Sequence, residues 1–216
     1  MGERAHTPGR GRPILFSAPM VRALLAGTKT QTRRVFVPPA PYAPTDDISV
    51  GVAVGSIAPK IKVGDRLWVR EAWRTTGCDG RSDYLPPRDL QPHPAWYEAN
   101  GTAPAGELVG KLRPSMFMPR WASRLTLTVT DARVQRLQDI SEEDAEAEGY
   151  PSKEQRATSG VAEIRDAYPI AWYSWLWEQI NGVGSWEANP WVAAYSFTVE
   201  RRNIDAPATA AKTGGE

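Results

Sequence analysis

A single cysteine among 216 residues leaves nothing from which to build a disulfide framework or a multi-cysteine zinc site. Histidine is nearly as scarce. His6 and His93 stand far apart in polar, proline-rich stretches, so no histidine-based metal centre is expected. No apolar run approaches the roughly 20 residues of a membrane span. Net charge is also close to absent: 26 Lys and Arg against 25 Asp and Glu leave +1, which speaks against a non-specific nucleic-acid coat. The segment MGERAHTPGRGRP is charged and has no apolar centre, so it does not read as a secretory signal, and a reducing cytoplasm is the expected compartment. Tryptophan, by contrast, is abundant, with nine residues against seven tyrosines and four phenylalanines.

The length suffices for one domain with a sizeable core, placed here over 12–205. The flanks, 1–11 and 206–216, lack periodicity and read as disordered tails. Two proline- and glycine-rich stretches, 38–60 and 75–110, read as long loop insertions. Between them lie patterned segments. RPILFS starts a strand at Arg12. Ser17 caps a helix over 18–26 with Pro19 in its first turn and Gly27 at its end. Strands are expected over 30–35, 65–70 and 191–200, and another over 125–137 with a bend near Asp131. An acidic helix runs from Glu142 to Glu148 and stops at Gly149. Helical spacing covers 161–180, with Pro169 expected to end or kink it. The sum is an α+β fold, a small β-barrel or curled sheet with helices at its ends.

The near-zero charge conceals segregation. Residues 1–40 hold seven cations against one acid, 111–124 hold four cations and no acid, and 139–148 hold six acids and no base. If the basic segments meet, they form an anion-binding face; otherwise they are ordinary solvated surface.

Four segments carry candidate chemistry. In LLAGTKTQTRR, Lys29 beside Thr28, Thr30 and Thr32 offers a base and a nucleophile, and Arg33 and Arg34 would depress the lysine pKa and can hold a phosphate. Along a straight strand Lys29 and Thr32 point to opposite faces, so they converge only if the helix exit turns. A cationic surface strand is the alternative. Glu148, at a helix C-terminus where a carboxylate is disfavoured, suits acid/base work, unless it is an ordinary exposed glutamate. In GDRLWVREAWR, Trp68, Arg70, Glu71 and Trp73 suit the reading of a flat polar ring, or equally a solvent ion pair beside core tryptophans. In KLRPSMFMPRWASR, Arg113, Arg120 and Trp121 interleave cations with aromatics as single-stranded nucleic acid or a nucleotide requires. Trp172, Trp175, Trp177, Trp186 and Trp191 are expected in the core.

In order and spacing, LLAGTKTQTRR, GDRLWVREAW, the β-segment leading into LQDISEEDAEAEG, and the final WVAAYSFTVE resemble the ASCH family of the PUA-like superfamily, in particular its longer phage and prophage members. The resemblance spans 12–37, 60–73 and 111–202, with both insertions outside it. It implies a small PUA-like β-barrel with flanking helices. It also implies hydrolysis of an acyl-modified nucleoside such as N4-acetylcytidine: Thr32 attacks the acyl carbon, Lys29 takes its proton, and Glu148 handles proton transfer to the leaving amine. Arg33, Arg34, Arg70, Glu71, Trp73, Arg113, Arg120 and Trp121 are the expected contacts to substrate or nucleic acid. No cofactor, metal or membrane partner is implied. Some family members are linked to RNA cleavage, so the alternative is an RNA or single-strand binding module, with or without ribonuclease activity. The insertions, RPSMFMPRW and the tryptophan-rich C-terminal half depart from the small enzymes and leave room for a polynucleotide.

Overall fold

The computed structural model describes residues 11–77, 81–103 and 108–207. The two tails, apart from Gly11 and residues 206–207, lie outside the described residues, as does Cys78. The fold is α+β. Its centre is a pair of long antiparallel strands, β6 (Thr126–Arg136) and β7 (Trp191–Glu200). The start of β7, WVAAY, is buried at every position, because elements cover both faces of a central strand. On β6 the register shifts between Val129 and Asp131, a bulge at the bend that the interrupted alternation predicts.

Around this pair the sheet adds β3 (Arg66–Arg70), antiparallel to β6, and β1 (Arg12–Leu15), parallel to β3. On the other side β2 (Gln31–Val35) runs antiparallel to β7, giving the order β1-β3-β6-β7-β2. The expected barrel is therefore corrected: this is an open five-stranded mixed sheet with β1 and β2 at its edges. A hydrogen bond still links the edges, from Arg34 Nη2 on β2 to the Leu15 carbonyl on β1 at 2.8 Å. A side chain, rather than a backbone ladder, spans the seam that a barrel would close.

Helix α1 (Ala18–Ala26) connects the two edge strands. Pro19 sits in its first turn, and Gly27 closes it in the left-handed region at φ +77°. Val21 and Leu24 drop from it into a core with Phe16, Leu67, Leu127 and Phe197. A second core lies at the start of β7, where α3 (Glu142–Ala147) and α5 (Pro169–Asn181) pack Ala145, Trp172, Tyr173 and Trp177 against Leu137 and Val192. Pro169 does not break a long helix but begins α5, its missing N–H falling where no intrahelical partner exists. Residues 162–164 form only a short 3₁₀ turn before it, and α4 (Lys153–Thr158) is a separate capped helix.

Both presumed insertions build interior. The first carries α2 (Ser49–Ala53) and buries Ile48 and Ile57 with Val134 and Trp191. The second contributes β5 (Ala95–Tyr97), paired antiparallel with β4 (Trp73–Thr75), and buries Leu90 with Trp73, Met118 and Ala122. Among the described residues no helix is long and apolar enough to cross a membrane.

Candidate active site

The turn after α1 and the end of α3 are held together by backbone. Lys29 and Glu148 form an isolated antiparallel bridge, and the Thr30 amide donates to the Ala147 carbonyl at 2.8 Å. Gly149 follows Glu148 at φ +99°; a Cβ there would lie 3.2 Å from the Cβ atoms of both Ala23 and Lys29. Only glycine combines that backbone conformation with so close an approach.

The bridge delivers two buried, opposite charges. Lys29 Nζ donates to the Glu148 carboxylate Oε2 and to the Glu148 carbonyl oxygen, each at 2.7 Å. Lys29 is fully buried and Glu148 is 4% exposed. Gln31 and Arg33, two apart on β2 and hence on one face, extend the network. Arg33 Nη1 donates to Glu148 Oε1 at 3.2 Å and Nη2 to Asp144 Oδ2 at 2.6 Å, while Gln31 Nε2 donates to Asp144 Oδ1 at 2.9 Å. Asp144 also accepts from Arg133 Nη2 at 2.5 Å. From α5, Tyr173 places its ring 5.9 Å from the Arg33 guanidinium carbon.

Burial sets the proton affinities. Desolvation lowers the Lys29 pKa despite the opposing attraction of Glu148, and Arg34 and Arg33 lower it further. Tyr173 is pushed well above its ordinary value by burial and by the Glu148 charge. Asp144 is pushed up by burial, but hydrogen bonds from Arg133 and Gln31 and the charges of Arg33 and Arg133 outweigh that and hold it below the usual carboxylate range.

The network forms part of the wall of a cavity of about 570 Å³ at the seam between the edge strands. Thr32, Arg33, Arg34, Glu148 and Tyr173 line it, with Phe16, Leu176, Trp177, Ile180 and Tyr195 supplying apolar wall. A mostly apolar concavity of this size with a few convergent polar groups is the usual form of a small-molecule site. Thr32, 1% exposed, shares the cavity but is not bonded to Lys29, whose two side-chain hydrogen bonds among the described residues both go to Glu148. The structure thus brings Lys29 and Glu148 into contact and places Thr32 on the same cavity.

The other expected contact residues are placed elsewhere. Trp73 is completely buried, with its ring 5.7 Å from that of Trp121 in an edge-on arrangement, so it presents no face on which a base could stack. Trp68 lies under the Arg70 guanidinium at 4.5 Å. Glu71 is 1% exposed and holds Arg124 through a bidentate pair at 2.8 and 2.9 Å. Arg113, 3% exposed, donates to the Ser82 carbonyl at 2.6 Å and lies over Trp73. Arg120 is paired with Asp205 at 2.7 Å. Lys111 Nζ donates to the Asp83 carbonyl, so the basic segment 111–124 spends all four of its cations on internal partners and is no open basic groove. None of Arg70, Glu71, Trp73, Arg113, Arg120 and Trp121 lines the cavity.

Sequence reasoning missed Gln31, Asp144 and Tyr173. Gln31 was legible in principle, since it stands two residues before Arg33 on a strand. Tyr173 was hidden among tryptophans of one apolar helix face, where only its hydroxyl marks it. Neither a scan of protein-family models nor searches of curated proteins and solved structures found a match to this chain.

Proposed function

We propose that the chain hydrolyses an acyl amide on a nucleoside-like ligand held in the seam cavity, N4-acetylcytidine being the nearest compound. The observation that carries this reading is the buried Lys29–Glu148 pair, 2.7 Å apart, of which Glu148 lines the cavity together with Thr32 while Lys29 lies behind the wall. The sequence resemblance assigns the same three residues to amide hydrolysis.

In this mechanism Thr32 Oγ1 attacks the acyl carbon and its proton passes to the neutral Lys29 amine. Burial favours that neutral form by disfavouring the ammonium. Collapse of the tetrahedral adduct breaks the C–N bond, and Glu148 relays the proton to the departing nitrogen. Water then hydrolyses the acyl-threonine ester and restores the hydroxyl. The Thr32–Lys29 hydrogen bond forms when the ligand is bound; catalytic hydrogen bonds are commonly long without substrate and tighten in the complex. Arg33, hydrogen-bonded to Glu148 and Asp144, holds the carboxylate in place.

The test is release of acetate from N4-acetylcytidine with matching formation of the deacetylated cytidine, the substrate being supplied as nucleoside, nucleotide and within an RNA oligomer. Stoichiometric release from at least one supports the reading. Absence of turnover from all three contradicts it.

A further inference from the structure

The cavity wall has three guanidinium or ammonium groups in or behind it, and only two are matched. Lys29 is neutralised by Glu148, and Arg33 by Glu148 and Asp144. Arg34 forms no ion pair among the described residues. Its hydrogen bonds go to two backbone carbonyls, Leu15 at 2.8 Å and Arg33 at 3.3 Å. Its guanidinium carbon lies 5.2 Å from the centre of the Phe16 ring, and both residues line the cavity. The Leu15 carbonyl and the ring fix the guanidinium across the seam, so little side-chain entropy remains to be lost on binding.

The wall is short of acceptors in a second respect. Arg33 Nε and Trp177 Nε1, both on cavity-lining residues, are buried donors with no partner among the described residues. A buried unpaired donor is costly, so unmet demand on this wall is for acceptor atoms rather than donors. The acidic group on the wall, Glu148, already answers Lys29 and Arg33.

We infer that Arg34 makes the cavity selective for a ligand that carries an anionic oxygen group, a phosphate or a carboxylate, alongside its acyl amide. Resting on the proposed hydrolase reading, this narrows the substrate class from a neutral nucleoside to an anionic one, of which a nucleoside monophosphate is the phosphate form. The planar fork of arginine matches two oxygens of either group.

The experiment measures dissociation constants by calorimetry for two pairs of probes that differ only in the anionic group: cytidine 5′-monophosphate against cytidine, and N-acetylglycine against N-acetylglycinamide. Wild type, Arg34→Gln and Arg34→Lys are compared, each checked for folding by thermal melting. The charged member of one pair is expected to bind at least about tenfold tighter to wild type, and which pair responds identifies phosphate or carboxylate. That advantage disappears in Arg34→Gln, returns in part in Arg34→Lys, and shrinks with added salt. Equal affinity within both pairs, an advantage that survives in folded Arg34→Gln, or no binding by any probe overturns the inference. Because binding is read without turnover, failure of the hydrolase reading alone leaves the discrimination intact and is thereby distinguished.

Discussion

Lys29 Nζ lies 2.7 Å from both the carbonyl oxygen and the carboxylate of Glu148, a residue 119 positions further along the chain. This contact ties the exit of α1 to the end of α3 in the interior. Removing one partner strands the other, so Glu148→Gln is expected to cost about 3 kcal/mol in urea unfolding at neutral pH. The double variant Lys29→Met/Glu148→Leu, which removes both charges and keeps the volume, is expected to lose less than the sum of the singles. Strict additivity would mean the two groups are not coupled.

The depressed Lys29 pKa makes stability depend on pH with a defined sign. Between the folded-state pKa and the ordinary 10.5, the unfolded chain holds the proton that the folded chain has released. Stability therefore rises with pH across that window, and the cost of burying the ammonium is present in full below the folded-state pKa. Chemical denaturation between neutral pH and that upper limit is expected to show this rise in wild type and a flatter profile in Lys29→Met. Identical profiles would contradict burial of a titrating lysine.

Asp144 acts in the opposite direction. Its folded-state pKa lies below the ordinary 3.8, so its stabilising contribution is present above that value and is lost as pH falls through the folded-state pKa. Asp144→Asn is expected to be less stable near neutrality and to lose less on acidification, as followed by far-UV circular dichroism during acid titration.

Gly149→Ala tests the backbone approach. The added Cβ meets Lys29 and Ala23 at 3.2 Å, at a φ that L-residues rarely adopt, so a loss of about 1–3 kcal/mol is expected. Catalytic rate should fall with it, because the same displacement moves Lys29. Wild-type stability in this variant would show that the bridge tolerates the side chain.

Local patterns along the chain carried much of the fold and less of the site. The β-prone run over Trp191–Glu200, the Pro19 start and Gly27 stop of α1, and the bend near Asp131 are properties of neighbouring residues, and the strands and helix follow them, although Ser17 at the start of α1 makes no side-chain cap bond. Whether the sheet closes depends instead on which strands meet, and the parallel pairing of β1 with β3 has no local signature. The proline-rich stretches read as loops because proline and glycine mask the single buried residues, Ile48, Ile57 and Leu90, by which they enter the core. Arg113 and Trp73 show the same limit. A cation beside an aromatic is one pattern whether it faces a ligand or, as here, a buried carbonyl and a packed ring. Trp73→Phe and Arg113→Met are accordingly expected to lower the melting temperature and leave cavity-ligand affinity unchanged, and a selective loss of affinity would reverse that assignment.

The central claim is that Lys29 and Thr32 act together on an acyl amide at the seam cavity. The most direct measurement is kcat on N4-acetylcytidine or its monophosphate for wild type, Lys29→Met and Thr32→Val, with folding of each variant verified. The account predicts turnover by wild type and a fall of roughly 10²–10⁴-fold in each variant. Wild-type rates in folded variants, or no turnover by wild type on either compound, would contradict it.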